Sequence, residues 1–306
     1  MRELSTRRVA ASGACLVLAP AVCHAHAGGH DAAAWTFDAG VVVPLLVALV
    51  AYALGSHRLA VRSARGRMSQ RAGRRWFLLG WGTLALALVS PLHAGGEHSF
   101  ALHMTEHELL MLVAAPLLVL ARPLGTLLWA LPHAARAVVG SWIRSRVVAD
   151  PWQALTGPVT TTVLQAVALW AWHAPRLFGL ALASEGWHVV QHLSFLLTAL
   201  LFWTAMLERR RMQRHPAVII GCLFATATVS GALGALMAFS SSPWYAGYAA
   251  LGMTPLGLTP VEDQQVAGLL MWVPGGLVHA GAALAILARS LRQPRHGRQP
   301  WAGITG

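Results

Sequence analysis

Long apolar runs recur along the whole chain, and short clusters of arginine separate them. A run of about 20 apolar residues is long enough to cross a bilayer as an α-helix. Only 11% of the 306 residues are charged and 56% are hydrophobic, whereas roughly a quarter of a soluble domain is charged. The sequence therefore predicts an all-α fold, a polytopic helical bundle in a membrane, and it excludes an ordinary soluble enzyme.

Seven of these runs are predicted to be transmembrane helices. They cover residues 39–57, 75–92, 103–121, 155–174, 187–207, 215–239 and 264–289. The predicted transmembrane domain is thus 39–290, and 291–306 form a tail. Prolines break the long connection after the third run, which is predicted to contain a short surface helix over about 133–148.

The first 27 residues have the pattern of a cleavable signal peptide. An apolar run over 9–22 is too short to span a bilayer comfortably, and small residues follow at Ala25 and Ala27. The run is preceded by basic residues, namely Arg2, Arg7 and Arg8. Cleavage after Ala27 leaves 28–38 as a short outer N-terminus.

That new N-terminus is a candidate copper ligand set. It begins Gly28-Gly29-His30, so an amine, two backbone amides and the His30 imidazole supply four nitrogens in a plane, the geometry that Cu(II) prefers. Cleavage after Ala25 instead abolishes this arrangement. A merely hydrophilic chain start is the competing interpretation.

The arginines set the predicted orientation. All 23 basic residues are arginine, and they concentrate after the first, third and fifth runs and in the tail. By the positive-inside rule, a bacterial plasma membrane then holds the chain with its N-terminus outside and its C-terminus in the cytoplasm. The net charge of +12 is explained by topology, so no nucleic-acid partner is predicted. The absence of lysine excludes a retinal Schiff base and a P-loop.

Histidines gather at the predicted outer boundary, where seven of the 15 lie. His103 with His107, and His188 with His192, are spaced to share one face of a helix. Imidazole binds copper in both oxidation states, and thioether sulfur favours Cu(I). The sequence therefore predicts an outer copper site made of His103, Met104, His107, Met111, His173, His188, His192 and Met271.

Structural roles compete with metal binding at each of these positions. Interfacial histidine often anchors a helix, and methionine often fills a helix contact. Glu106 and Glu108 either orient the imidazoles by hydrogen bonding or belong to a hydrated cap. His279 is predicted to be buried and hydrogen-bonded, and Cys222 to be an apolar filler. Small residues around Gly231 and Gly234 predict a close approach to a neighbouring helix.

Four ordered blocks carry a family resemblance over residues 40–290. They are His103-Met104-x-x-His107 with the following run to Arg122-Pro123, then Trp172-His173-Ala174-Pro175, then His188 and His192 with Phe202-Trp203, and finally 263–275. Together they resemble the CtaG-type cytochrome c oxidase assembly factors of bacteria. The resemblance implies a non-enzymatic seven-helix protein of the lipid bilayer. It also implies oxidase subunits as partners and copper as the metal handled, with the histidines and methionines of these blocks in that role.

Two other functions stay open beside a copper-handling assembly factor. A heme b electron carrier is one, because paired histidines on two helices can supply axial ligands. The inner ends of these helices lack the second histidine set that a second heme needs, which mildly disfavours it. A transporter or scaffold is the other, in which the histidines relay protons or anchor helices.

Overall fold

The computed structural model describes residues 34–62 and 64–292, and all regular elements in these ranges are helices. This confirms the all-α prediction for the described part of the chain. The predicted signal peptide, His30 and the tail beyond Arg292 lie outside the described residues. The helices are α1 (Ala39–Arg62), α2 (Ala64–Val89), α3 (Pro91–Gly96), α4 (Phe100–Ala121), α5 (Pro123–Ala130), α6 (His133–Arg144), α7 (Arg146–Leu155), α8 (Pro158–His173), α9 (Pro175–Ala183), α10 (Glu185–Met206), α11 (Arg209–Arg214), α12 (Pro216–Ala238), α13 (Ala246–Leu251) and α14 (Pro260–Arg292).

Several of these helices are suited to cross a membrane. Five described helices, α1, α4, α10, α12 and α14, are long and apolar enough, and α7 with α8 makes a sixth span if the pair, bent by 68°, counts as one. The second predicted run lies in α2, whose first half is rich in arginine. The chain is therefore a multi-pass membrane protein, while the count of seven spans stays a prediction.

The predicted surface helix over 133–148 is wrong in its bounds. Ser145 adopts an extended conformation and divides the segment into α6 and α7. Its carbonyl accepts hydrogen bonds from the backbone N–H groups of Val148 and Ala149, at 3.1 and 2.8 Å, and so begins the second helix. Large apolar side chains such as Val138 and Val147 remain exposed on both helices, as expected for elements at a membrane surface.

α12 and α14 pack with almost no side chain between them. A Cβ atom added to Gly268 would lie 2.4 Å from the carbonyl oxygen of Gly234, and one added to Gly234 would lie 2.6 Å from the carbonyl oxygen of Gly268. Gly231 likewise faces the ring of Trp272, whose Cδ1 lies 3.0 Å from the Cβ position. The close approach predicted for the glycine-bearing helix is present, and α14 is the neighbour.

A single π-helical turn, Leu109–Ala114, interrupts α4. The Ala115 N–H donates to the carbonyl of Leu110, five residues earlier, and Pro116 has no N–H to donate. The Met111 carbonyl therefore lacks its usual helical donor and instead accepts the indole N–H of Trp203 in α10, at 2.9 Å. The turn both changes the rotational register of α4 and ties that helix to α10.

The orientation of the bundle gives a testable prediction. α4 and α10 start at the end that carries the paired histidines and finish at arginines, so the two residue types lie at opposite ends of these helices. Reporter fusions after Arg67 and Arg211 are expected to read cytoplasmic, and fusions after Gly96 and Gly252 to read external. Alkaline phosphatase and green fluorescent protein activities measure this. A reversed pair would contradict the predicted topology.

Candidate metal site

Five imidazoles from three helices meet at one end of the bundle. The two spaced pairs of α4 and α10 face each other, with ring centroids 4.8 Å apart for His107 and His192 and 5.3 Å apart for His103 and His188. His93 of α3 joins them, 5.5 Å from His188. We call these five residues together with Glu106 the histidine cluster, and the end that holds it the histidine end.

Asp263 fixes the start of the helix that carries two of these histidines. Its carboxylate, on α14, accepts a hydrogen bond from the backbone N–H of Phe100 at 2.6 Å and from the Ser99 hydroxyl at 2.7 Å. An anion at a helix N-terminus is stabilising because the first N–H groups have no partner within the helix. The buried Asp263 thus positions α4 from another helix, and with it His103 and His107.

Replacing Asp263 by alanine is expected to lower the free energy of unfolding by about 2 kcal/mol, because α4 loses its buried cap. Asp150→Ala, which removes an exposed carboxylate in α7, is the control and is expected to leave stability nearly unchanged. Unfolding in detergent, followed by circular dichroism, measures the difference. Equal stability of the two variants would show that the cap does not position α4.

Glu106 is fully buried inside the histidine cluster, so it is not part of a hydrated cap. Its Oε1 accepts a hydrogen bond from His93 Nδ1 at 2.9 Å and lies 3.2 Å from His192 Nε2. Burial alone would lower the pKa of His93, but the hydrogen bond and the negative charge of Glu106 outweigh burial and raise that pKa above its usual value. One carboxylate therefore serves two imidazoles.

The cluster contains buried polar atoms that have no hydrogen-bond partner among the described residues. His192 Nδ1 donates to the carbonyl of His188 at 3.0 Å, and its Nε2 is the nitrogen that lies 3.2 Å from Glu106 Oε1. Buried polar groups in native proteins are nearly always paired, and an unpaired group calls for an explanation such as a bound ion. Four imidazole nitrogens and one carboxylate oxygen are unpaired, namely His103 Nε2, both ring nitrogens of His107, His188 Nε2 and Glu106 Oε2.

Met104 and His173 form a second donor pair beside the cluster. His173 Nδ1 donates to the carbonyl of Leu169 at 2.7 Å, which leaves its Nε2 facing the Met104 sulfur at 3.3 Å. The rings of Phe178 and Phe195 each lie near both His173 and a histidine of α4. The pair therefore adjoins the histidine cluster across two aromatic rings.

The loop between α12 and α14 closes the histidine end. The Tyr248 hydroxyl donates to the carbonyl of Gly96 at 2.6 Å, and the Tyr245 hydroxyl donates to the carbonyl of His173 at 3.0 Å. The side-chain oxygen of Gln264 accepts a hydrogen bond from the backbone N–H of Trp244 at 2.6 Å. Burial raises the pKa of Tyr248 well above its usual value. Both phenols therefore act as neutral donors that hold the loop over the cluster.

The other predicted site residues lie elsewhere. Met111 follows the start of the π-helical turn and lines a deeper cavity with Glu108 and His279. Met271 is buried in the main hydrophobic core. His93 was not among the predicted ligands, because it stands in a short helix without a partner four residues away. His279 is buried and hydrogen-bonded to the Gly275 carbonyl, and Cys222 is buried in the core, as the sequence predicts.

Imidazole and thioether are donor types that fit copper, but the side chains do not point at a common position. Across residues 34–62 and 64–292, no three side chains of histidine, cysteine, aspartate or glutamate stand in the arrangement of a bound metal. The rings of the cluster pack edge-to-face or stacked, as His103 does on His107 at 4.4 Å and 80°. The rings must therefore rotate before several nitrogens can share one ion.

Comparison with known proteins places the chain in a family. The family model described as cytochrome c oxidase caa3 assembly factor matches residues 50–293. Uncharacterized proteins of Mycobacterium bovis and Mycobacterium tuberculosis are each 28% identical over 276 residues, which is 85% of this chain and 40% of theirs. The chain thus spans less than half the length of these curated relatives, and no solved structure matches it. Since the family model covers most of the sequence, the chain belongs to the cytochrome c oxidase caa3 assembly factor family.

Proposed function

We propose that this chain is a non-catalytic membrane assembly factor for cytochrome c oxidase, which binds copper at the histidine cluster and delivers it to an oxidase subunit. Family membership supports the role in oxidase assembly. The unpaired, buried imidazole nitrogens support the role of copper. Copper here is cargo, held until it is passed on.

The unpaired nitrogens carry this proposal. Each buried polar group without a partner costs about 1–3 kcal/mol, and the histidine cluster concentrates several of them in one place. A copper ion accepts the lone pairs of imidazole nitrogens. Binding such an ion therefore removes a penalty that the empty cluster carries, which gives the site its affinity.

The two neighbouring donor sets suggest how copper is held and released. The histidine cluster combines imidazoles with the Glu106 carboxylate, while the adjacent pair of Met104 and His173 offers a thioether. Nitrogen donors serve both oxidation states of copper, and thioether favours Cu(I). Cu(I) bound in the cluster thus has a soft neighbouring site to which it can exchange on its way to a partner.

A direct test compares copper binding by the purified variants His107→Ala and His192→Ala with that of the wild-type protein. Each variant is expected to lose one equivalent of copper, because each removes an imidazole from the cluster. His133→Ala and His215→Ala remove histidines at the other end of the bundle and are the matched controls. Elemental analysis gives the metal content and immunoblotting gives the abundance. If abundance falls in parallel with copper, the histidines are structural and the proposal fails.

A heme b carrier fits the geometry less well. The ring centroids of His107 and His192 are 4.8 Å apart, and the two rings pack against each other with an interplanar angle of 66°. A porphyrin between two axial histidines needs room that this contact does not leave. Absorbance spectroscopy of the purified protein tests this, and a Soret band would overturn the copper proposal.

A further inference from the structure

A second polar site lies deeper in the bundle, lined by α4, α8, α12 and α14. It is a cavity of about 20 Å³, which is the space for one water molecule or one ion. Its polar and sulfur-bearing lining comes from Glu108, Met111, Gln165, Thr226, Ser230 and His279, and apolar side chains line the rest.

Four side chains of this lining carry a buried polar atom without a hydrogen-bond partner in the described structure. They are Glu108 Oε2, Gln165 Oε1, Thr226 Oγ1 and His279 Nε2. Each of these atoms has a lone pair to offer. His279 Nδ1 donates to the Gly275 carbonyl at 2.7 Å, so Nε2 is the acceptor nitrogen of the neutral ring. The cavity therefore concentrates several lone pairs, which a bound cation accepts.

Gly275 and Thr226 both line this cavity. Gly275 lies opposite Glu108, and a Cβ atom added there would be 3.7 Å from Oε2 of Glu108. The neighbouring hydroxyls of α12, Thr228 and Ser230, donate to carbonyls four residues earlier at 2.9 Å, whereas the Thr226 hydroxyl has no such bond in the described structure. The Thr226 hydroxyl therefore keeps its lone pairs for a ligand in the cavity.

We propose that this cavity is an inner Cu(I) site in which Glu108, Met111 and His279 are the donors. A thioether and an imidazole select copper over hard cations such as magnesium or calcium. Glu108 is the one ionisable acid in the lining. Once ionised, Glu108 carries one negative charge that balances the single positive charge of Cu(I), and a neutral pair is far less costly to bury than an unbalanced ion.

This inner site is separate from the histidine cluster and does not depend on it. His107 and Glu108 are consecutive residues of α4, yet His107 belongs to the cluster and Glu108 lines the cavity. The two sites thus lie on different faces of one helix. If both bind copper, the inner site extends the path that begins at the histidine end into the interior of the bundle.

The test is an anaerobic Cu(I) titration of the full-length protein in detergent, with a chromophoric chelator as competitor. Wild type is expected to bind one equivalent more than Met111→Leu or His279→Gln. Met111→Leu nearly conserves the volume of the side chain. Its matched control is Met237→Leu, which changes a buried methionine in a different helix, α12. X-ray absorption of the double variant His107→Ala/His192→Ala is expected to show a sulfur ligand that Met111→Leu removes.

The outcomes separate the two proposals. If Met111→Leu and His279→Gln bind as much Cu(I) as wild type while the double variant loses an equivalent, the cavity holds only water. The inner site is then overturned and the histidine cluster stands. If the double variant binds as wild type does and Met111→Leu loses an equivalent, the inner site stands and the histidine cluster fails.

Discussion

Replacing Glu106 by glutamine is expected to weaken copper binding at the histidine cluster by about 10- to 100-fold, the usual effect of removing a hydrogen-bond partner of metal-binding histidines. Glu106 Oε1 contacts both His93 and His192, at 2.9 and 3.2 Å. Glutamine keeps the shape of the side chain but removes the negative charge that favours a bound cation. Competition for Cu(I) against a chelator measures the affinity.

Glu97→Gln is the matched control for this variant. Glu97 lies at the same end of the bundle, but its side chain is exposed to solvent. Surface charges contribute little to a neighbouring site because water and salt screen them. Copper affinity that falls equally in both variants would show a general effect of charge at this end, and unchanged affinity in Glu106→Gln would remove Glu106 from the site.

Replacing Gly268 by alanine is expected to lower the free energy of unfolding by about 3 kcal/mol, at the upper end of the usual cost of overpacking. The new Cβ atom would lie 2.4 Å from the carbonyl oxygen of Gly234 and 2.6 Å from the backbone nitrogen of Ala238. Both of these atoms belong to the backbone of α12, so no side-chain rotation relieves the contact. α12 and α14 must move apart.

Gly276→Ala tests the same substitution in the same helix without the contact. An added Cβ atom at Gly276 meets no atom within 4 Å, and alanine is the better helix former. Unfolding of both variants in detergent, followed by circular dichroism, gives the comparison. A Gly268→Ala protein as stable as the Gly276→Ala protein would mean that the two helices do not pack as closely as described.

The sequence predicts those features that depend on local spacing. Helical periodicity pairs His103 with His107 and His188 with His192, and it identifies the small residues that line the contact of α12. His93 and Asp263 could not be assigned roles in this way. Their partners lie far along the chain, since His93 meets α10 and Asp263 caps α4. Such contacts depend on how the helices pack.

Neighbouring residues of α4 show a second limit of sequence reasoning. Glu106 and Glu108 received the same interpretations from the sequence, yet Glu106 is buried in the histidine cluster and Glu108 lines the inner cavity. The predicted copper site combines Met111 with His103 and His107, which lie eight and four residues earlier and would share its face only in an uninterrupted α-helix. The π-helical turn at Leu109–Ala114 breaks that periodicity, and the sequence pattern alone does not reveal it.

The π-helical turn also sets the rotation of one half of α4 about the helix axis relative to the other half. Each residue of an α-helix adds about 100° of rotation, so deleting one residue between His107 and Pro116 would restore an ordinary helix and turn one half by that angle relative to the other. Either His103 and His107 would turn away from the histidines of α10, or the inner half of α4 would lose its hydrogen bond with Trp203. The length of this segment, as much as its composition, therefore determines where the histidines of α4 point.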